Sequence, residues 1–170
     1  MPDIKLLAPD EWFWLQNIRL AALQDSPHAF LATYEQEKGY DEGQWRAEFS
    51  RGDWYTSVLD GRAVSLLGAT SEPEMPPHER YIEYLWVSSE CRRSGIARSM
   101  LTNVIDRLQD SGVRTVYLWV LDGNEVAIQL YEKVGFVGTN HRLSLPEHPA
   151  RGEERMRLDL SGWPDIEASR

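Results

Sequence analysis

The chain has 170 residues, of which 42% are apolar, and this suits one domain with a substantial buried core. Its 27 acidic side chains outnumber 18 basic ones and give a formal net charge of -9, which argues against broad binding to nucleic acids or anionic membranes and favours a cationic substrate. The single cysteine, Cys91, excludes an intramolecular disulfide framework. With no signal-peptide pattern and no membrane-length apolar run, we expect a cytoplasmic protein.

The first part of the chain predicts a short strand and two helices. Residues 4–7 form the strand. The segment 9–11 opens a helix that ends near Asp25, because a proline follows two residues later. A second helix is predicted from Asp41, since Gln44 follows it at the spacing of a capping box.

Three strands and a long helix follow. Residues 54–59 and 63–70 predict a hairpin around the turn signal Asp60-Gly61. After a proline-rich loop, residues 81–87 read Tyr-Ile-Glu-Tyr-Leu-Trp-Val and predict a largely buried strand. Apolar residues at helical spacing then predict a helix that ends near residues 111–112.

The second half alternates strands and helices and determines the predicted fold class. Residues 115–121 and 136–145 are predicted strands, 126–134 a helix, 146–152 a loop and 155–160 a further strand whose Met156, Leu158 and Leu160 share one face. This order predicts an α/β (α+β) fold, with a mixed, mostly antiparallel twisted sheet of about seven strands and helices on both faces. We expect a single domain over residues 1–160 and a loose C-terminal tail over 161–170.

A turn with the sequence Arg92-x-x-Gly95-x-Ala97 connects the strand at 81–87 to the long helix. Such a turn leaves backbone N–H groups unpaired at the helix start, where small residues allow an anion to approach. The arginines Arg92, Arg93 and Arg98 make this turn basic in an otherwise acidic chain. The stretch therefore predicts a pyrophosphate site, although on its own it is equally compatible with an ordinary strand-to-helix connection.

A second motif lies further along the chain and reads Asn124-x-x-Ala127-x-x-Leu130-Tyr131-x-x-x-Gly135-Phe136. With the turn at Arg92, and in this order and spacing, it resembles the paired motifs of the GCN5-related N-acetyltransferase (GNAT) superfamily. Within residues 19–37, Leu-x-Ala-Leu-x-Asp-Ser-Pro-x-Ala-Phe is similar to the first helix and loop of many bacterial members. The resemblance thus extends over most of the chain apart from the tail.

The resemblance implies an enzyme that transfers an acetyl group from acetyl-coenzyme A, as co-substrate, to a primary amine without a metal. It implies that the strand at 81–87 splays away from the strand at 115–121. The pantetheine arm would lie between them and pair with backbone near Val87, whose N–H would stabilise the oxyanion. The residues that the resemblance assigns to cofactor binding are Leu85, Val87, Arg92, Arg93, Ser94, Gly95, Ile96, Ala97, Arg98, Asn124 and Ala127.

Two side chains are candidates for proton transfer. By resemblance, Tyr131 is the general acid for the departing thiolate, although its ring would also suit simple packing on the sheet. Glu83 is the candidate base, through a water molecule, because it is the only charged residue in the strand at 81–87. The alternative for Glu83 is an exposed strand end or a salt bridge to an arginine. Many relatives carry a second carboxylate at the place occupied here by Trp119.

The acceptor amine is expected near the loop after the first helix. Phe30, Tyr34 and Trp119 are its candidate contacts, although aromatic residues here also suit a core. A small metabolite, an antibiotic, a protein N-terminus and a lysine are all compatible with the sequence. A sensor that binds an acyl-coenzyme A without turnover is the alternative function. Acylation of aminoacyl-tRNA is disfavoured by the acidic charge, and a homodimer is possible by resemblance.

Overall fold

The computed structural model of the chain describes residues 2–145 and 148–164. Its strands are Asp3–Leu6 (β1), Gly52–Leu59 (β2), Arg62–Ala63 (β3), Ser65–Thr70 (β4), Glu79–Val87 (β5), Thr115–Leu121 (β6), Val137–Leu145 (β7) and His148–Asp159 (β8). Its α-helices are Trp12–Asp25 (α1), Tyr34–Glu37 (α2), Glu42–Phe49 (α3), Ile96–Asp110 (α4) and Glu125–Val134 (α5). Among the described residues, no helix combines the length and the apolar character needed to cross a membrane.

The strands form one eight-stranded sheet in the order β1-β2-β4-β5-β6-β8-β7, with β3 paired to β2. β5 and β6 are parallel, and α4 makes the crossover between them. The other strand pairs are antiparallel. The predicted mixed, mostly antiparallel sheet is confirmed, and its extra strand is the two-residue β3, which the sequence analysis joined to β4.

Helices cover both faces of the sheet, as neighbouring residues of β4 demonstrate. Leu67 packs in the cluster that contains the α4 residues Met100 and Val104. Leu66 packs in the other cluster, with Leu15 and Ile18 of α1. Since successive strand residues point to opposite faces, α1 and α4 lie on opposite sides of the sheet. We call these sides the α1 face and the α4 face.

Several predicted boundaries are confirmed. Helix α1 ends at Asp25, and β6 spans the predicted residues 115–121. The Asp41 side chain accepts a hydrogen bond from the Gln44 backbone, and the Gln44 side chain reaches back to Asp41, so the predicted capping box is present at α3. The α4 helix ends at Asp110, just before the predicted stop.

The C-terminal region differs from the prediction. The last strand begins at His148 and not at residue 155, because it pairs with β7 from Leu145 onward as well as with β6. The predicted loop 146–152 is therefore largely strand, and residues 146 and 147 lie outside the described part. The start of the predicted tail is held by Trp163, whose indole N–H donates to Asp106 of α4 at 2.6 Å. Residues 165–170 of that tail lie outside the described residues.

Candidate active site

The parallel strands β5 and β6 separate after a short paired stretch. Their register ends with Tyr81 opposite Tyr117, whereas β5 continues to Val87 and β6 to Leu121. The two tyrosine rings have centroids 5.7 Å apart at this point. Beyond it, the two strands no longer satisfy each other's backbone groups, so a cleft opens in which an extended amide ligand can pair. The expected splay is present.

A β-bulge lies in the separated half of β5. Glu83 is opposite Gly68 of β4, but Trp86 is opposite Leu66, so β5 holds one residue more than β4 over this interval. Tyr84, within the bulge, has a φ of 58°, a left-handed conformation that is unusual for a non-glycine residue. The bulge turns the strand and redirects its backbone groups beside the cleft.

The turn after β5 ends at the start of α4. Gly95 has a φ of 83° and is the residue before the helix, a conformation that glycine adopts without a Cβ penalty. The first backbone bond of the helix runs from the N–H of Ser99 to the carbonyl of Gly95 at 3.0 Å. The N–H groups of residues 96–98 therefore precede the intrahelical ladder and are available to an anion.

Arg92 does not extend freely from this turn. Its Nε donates to the Val87 carbonyl at 3.1 Å, and its Nη2 donates to the Ser26 hydroxyl at 2.6 Å and to the Asp25 carboxylate. The guanidinium thus joins the end of α1 to the end of β5. Anion binding by Arg92, which the sequence analysis expected, would have to share these contacts.

Asp25 is the centre of this connection. Its carboxylate also accepts a hydrogen bond from the indole N–H of Trp86 at 2.9 Å. Burial on its own raises the pKa of Asp25, but hydrogen bonds from Ser89 and Trp86 act in the opposite direction. With further contributions from Ser26 and Arg92, the pKa of Asp25 falls to about 2. The residue is therefore charged at neutral pH and holds three segments together.

Helix α5 carries the second motif and begins just after β6. The Asn124 side chain accepts a hydrogen bond from the Ala127 N–H at 3.3 Å and caps the helix. Tyr131 is only 8% exposed, and its ring packs edge-on against Phe136 with centroids 5.9 Å apart. Burial raises the pKa of Tyr131 to about 12, so its phenol stays protonated over the physiological range.

Glu83 is bound by an arginine, which was the alternative considered for it. Arg51, between α3 and β2, donates to its two carboxylate oxygens at 2.8 and 3.0 Å. Arg51 also donates to Glu48 at 2.8 Å, and Glu48 accepts from the Tyr84 hydroxyl at 2.8 Å. Both oxygens of Glu83 are thus occupied, and the structure does not favour it as a free base.

An ion pair whose two side chains are both buried lies on the α1 face. Arg19, 2% exposed, donates to both oxygens of Glu37 at distances down to 2.7 Å. Its guanidinium carbon lies 3.7 Å from the ring centroid of Tyr84 and 4.6 Å from that of Phe30. Phe30 therefore packs against Arg19 of α1. Tyr34 is the first residue of α2 and is half-buried.

Trp119 lies in the part of β6 that borders the cleft. It is half-buried and contacts the His141 ring edge-on at a centroid distance of 5.5 Å. Its neighbours Leu118 and Val120 are buried in the cluster of the α4 face, so Trp119 lies on the α1 face. This is the side from which an acceptor would approach a cofactor held at α4 and α5.

A family model for the acetyltransferase (GNAT) family matches residues 12–136. The chain belongs to the acetyltransferase (GNAT) family. The match includes the cleft, the turn at Gly95 and both motifs, so the predicted family is confirmed.

Curated GNAT relatives match over shorter stretches. A chloroplastic GCN5-related N-acetyltransferase 6 of Arabidopsis thaliana is 45% identical over 56 residues, 33% of this chain and 19% of the relative. A [ribosomal protein bS18]-alanine N-acetyltransferase of Escherichia coli is 42% identical over 50 residues, 29% of this chain and 34% of the relative. The matched segments therefore span about a fifth and a third of those two proteins.

Solved GNAT structures match over nearly the whole chain. The ribosomal-protein-S18-alanine N-acetyltransferase of Escherichia coli superposes with a TM-score of 0.69 at 20% identity, covering 98% of each chain. A GNAT-family acetyltransferase of Streptococcus pneumoniae gives a TM-score of 0.77 at 16% identity, covering 94% of this chain and 99% of its own. At these identities the likeness establishes the GNAT fold alone.

The predicted cofactor residues lie on the separated half of β5 or in the segments that follow β5 and β6, at the same end of this parallel strand pair. Leu85 and Val87 lie on the separated half of β5, and Asn124 and Ala127 start α5. The residues at the turn and at the start of α4 are Arg92, Arg93, Ser94, Gly95, Ile96, Ala97 and Arg98. Arg19 and Arg51 were not among the residues predicted from the sequence. Arg19 had a signal, since it is a charged residue beside the apolar face of a helix.

Other possible sites lie apart from this GNAT cleft. A cavity of about 500 Å³ lies at the β1 edge of the sheet, three strands from β5. It is lined by Leu6, Leu7, Pro9, Trp12, Arg46, Phe49, Ser50, Gly52 and Asp53. Within residues 2–145 and 148–164, no cluster of three or more histidine, cysteine or acidic side chains is suited to bind a metal.

Proposed function

We propose that the chain transfers an acetyl group from acetyl-coenzyme A to a primary amine by direct attack in a ternary complex. The observation that carries this proposal is the separation of β5 from β6 beyond Tyr81, with the turn at Gly95 next to the end of β5. Family membership supports acetyl transfer in general. The names of the curated relatives, which are N-acetyltransferases, support the same class of reaction.

The described residues fit the cofactor's chemical parts. The N–H groups of residues 96–98 and the exposed side chains of Arg93 and Arg98 suit the pyrophosphate. The separated backbone of Leu85 to Val87 suits the amides of the pantetheine arm, and the cleft has no ladder partner to displace. When bound, the cofactor supplies an acetyl thioester, which is activated towards attack by an amine.

Tyr131 is proposed as the hydrogen-bond donor to the departing sulfur. A phenol with a pKa of about 12 is a weaker acid than a thiol, whose reference pKa is about 8.5. Full proton transfer to the thiolate is therefore uphill, and the role of Tyr131 is to stabilise the developing charge by a hydrogen bond. Burial prevents ionisation of the phenol and so preserves this donor.

Glu83 remains the base predicted from the sequence, acting through a water molecule. The Arg51 guanidinium holds both its oxygens, so this role requires at least one of those bonds to be given up. The same contact gives Glu83 a structural role that is independent of catalysis, because it joins the end of α3 to β5. The two roles differ in their effect on turnover and can be separated by mutation.

The acceptor is proposed to be an amine that approaches from the α1 face, between the segment around Phe30 and Tyr34 and the strand that carries Trp119. The acidic chain is compatible with a cationic acceptor. One relative's name specifies an alanine of ribosomal protein bS18, which supports a protein N-terminus as one class to be tested. Lysine side chains and small-molecule amines are the other classes of acceptor to be tested. We do not expect the chain to bind nucleic acids or membranes. A cytoplasmic location and a homodimer remain predictions.

A sensor that binds an acyl-coenzyme A without turnover is the second candidate function, and one observation favours it. The two positions at which a base was considered hold Glu83, bonded to Arg51, and Trp119, which has no acid-base chemistry. One paired experiment separates the candidates: thermal stabilisation by acetyl-coenzyme A, and thiol release with a panel of amines. Stabilisation with amine-dependent release supports the enzyme, and stabilisation without release for any amine supports the sensor. Absence of stabilisation contradicts both.

A further inference from the structure

A patch of four residues borders the cleft on the α1 face. In the register of β6 and β8, Trp119 is opposite Arg155 and Leu121 is opposite Glu153. Met156 and Leu158, which follow on the same strand, are buried in the cluster of the α4 face, so the odd-numbered residues of β8 point to the other side. Glu153 and Arg155 are thus about 6.6 Å apart along one strand and on one face.

The two charges in this patch have no ionic partner in the part of the chain that the structure describes. Among the described residues, neither the carboxylate of Glu153 nor the guanidinium of Arg155 has an ion pair or a hydrogen bond, although both residues are half-buried. Arg155 Nε is fully enclosed without a partner. Partly buried charges without partners are costly. Burial also raises the pKa of Glu153 above its ordinary value, which is the expected effect of desolvating a carboxylate.

The two side chains also diverge. The Arg155 guanidinium carbon lies 4.8 Å from the centroid of the Tyr117 ring, which is one step towards the closed end of the cleft. Glu153 lies beside Leu121, at the open end. Trp119 lies on β6 between Tyr117 and Leu121, so its ring is available to a ligand that spans the two charges. A ligand that contacts both charges must therefore carry opposite charges separated by a short apolar portion.

One hydrogen bond joins the strand of the patch to the segment after α1. Arg151, two residues before Glu153 on the same strand, donates from Nη2 to the His28 carbonyl at 2.8 Å. This bond joins β8 to the 3-10 turn Pro27–Ala29, which follows α1. The patch consequently lies between the sheet and the segment in which the acceptor was expected.

We infer that Glu153 and Arg155 bind an acceptor that carries an anionic group as well as its amine. The ammonium contacts Glu153 and Trp119, and a carboxylate contacts Arg155. This inference rests on the proposed function, since it specifies the acceptor of the same site. The acceptor is then an amino-carboxylate, a small zwitterion, and not a simple amine or an internal lysine of a protein.

The test uses matched ligand pairs that differ in the carboxylate: lysine with cadaverine, phenylalanine with phenethylamine, and γ-aminobutyrate with propylamine. Calorimetry on the full chain saturated with coenzyme A measures binding, and thiol release with acetyl-coenzyme A measures turnover. We expect at least one carboxylate-bearing member to bind at least about tenfold more tightly than its partner. Equal Kd values within every pair, or no binding of any member, overturn the inference.

Arg155→Met removes the cation and keeps most of the apolar stem of the side chain. We expect it to make the Kd values of the two members of a ligand pair equal. Arg155→Lys should restore part of the difference in Kd between the two members of a pair. Arg157→Met is the matched control, because Arg157 is on the same strand and face but pairs with Asp159 at 3.3 Å. Glu153→Gln should weaken both members of a pair, since both carry the amine. An unchanged preference in Arg155→Met, with the fold intact by circular dichroism, contradicts the inference.

Failure of this inference can be distinguished from failure of the proposed acetyltransferase function. Preferential binding of the carboxylate member without any thiol release supports the patch as a zwitterion site and contradicts the enzyme. Thiol release that is equal for both members of every pair supports the enzyme and contradicts the assignment of Arg155.

Discussion

The guanidinium of Arg51 binds both carboxylate oxygens of Glu83, at 2.8 and 3.0 Å, across 32 residues of sequence. This contact links the end of α3 to the strand that borders the cleft. It also occupies both oxygens of the carboxylate that the sequence predicts as the base. The same arginine contacts Glu48, which accepts a hydrogen bond from the bulge residue Tyr84, so the contact supports the shape of β5 where it leaves β6.

Glu83→Gln therefore distinguishes a structural role from a catalytic one. If Glu83 acts mainly by holding Arg51, kcat should fall by less than about tenfold, whereas loss of a general base costs about 10²- to 10⁴-fold. Thiol release gives kcat, and a double-mutant cycle with Arg51→Met in urea unfolding should give a coupling of about 1 kcal/mol. Glu42→Gln, in the exposed pair with Arg46, is the control. A loss of kcat above a hundredfold would restore Glu83 as the base.

Gly95→Val tests the anion site at the start of α4. A side chain at a φ of 83° obstructs the approach to the N–H groups, and we expect the Kd for acetyl-coenzyme A to rise at least about tenfold. Backbone strain adds a stability cost of about 1–2 kcal/mol, which has to be separated from the effect on binding. Gly112→Val is the matched control, because its φ is 92° and no atom lies near its Cβ position. If both variants bind acetyl-coenzyme A equally well, the anion site is wrongly assigned.

Tyr131→Phe removes the proposed donor to the sulfur and leaves the ring. We expect kcat to fall about 100-fold, while the Kd for acetyl-coenzyme A changes little, because the hydroxyl acts on the departing group. Tyr55→Phe is the control, since Tyr55 is another buried tyrosine of the same core whose pKa burial raises. Equal rates for Tyr131→Phe and the parent would leave Tyr131 with a packing role only.

Asp25→Asn tests the connection between α1 and the turn. Because the folded-state pKa of Asp25 is about 2 and its ordinary value is 3.8, the charged group adds stability above about pH 3.8. That contribution is lost as the pH falls through about 2. The variant should therefore have a lower free energy of unfolding than the parent at pH 5, and this difference in free energy should become smaller towards pH 3. Urea unfolding at three pH values measures the free energies of unfolding of both proteins. A difference that does not depend on pH would contradict the conclusion that the charge of Asp25 is what stabilises the fold.

Local patterns in the sequence predicted much of the fold. The apolar spacing of α4, the uninterrupted run of β6 and the capping box at Asp41 each depend on neighbouring residues only. The alternation in residues 155–160 correctly placed Met156, Leu158 and Leu160 on the buried face. For the site, the two motifs correctly indicated the family and the cleft.

Contacts between distant residues were not predictable in this way. The partner of Glu83 follows from the position of α3 against β5, and no local pattern specifies that position. Predicting the patch around Glu153 would require knowing the register of β8 against β6. Alternation in the sequence indicates which face a residue lies on, but not which residue of the neighbouring strand lies opposite it. Arg92 was expected to face an anion, but its contacts with Asp25 depend on where α1 ends.

The connection through Asp25 has a thermodynamic consequence. The carboxylate holds Arg92 of the turn proposed to bind the cofactor, and the Pro27–Ala29 turn on the proposed acceptor side begins two residues after Asp25. We expect this shared connection to couple the two proposed sites. Because coupling between sites is reciprocal, occupancy of either should change the Kd of the other by the same factor. The protein would then bind its two substrates cooperatively. In Asp25→Ala, acceptor affinity should become the same with and without coenzyme A.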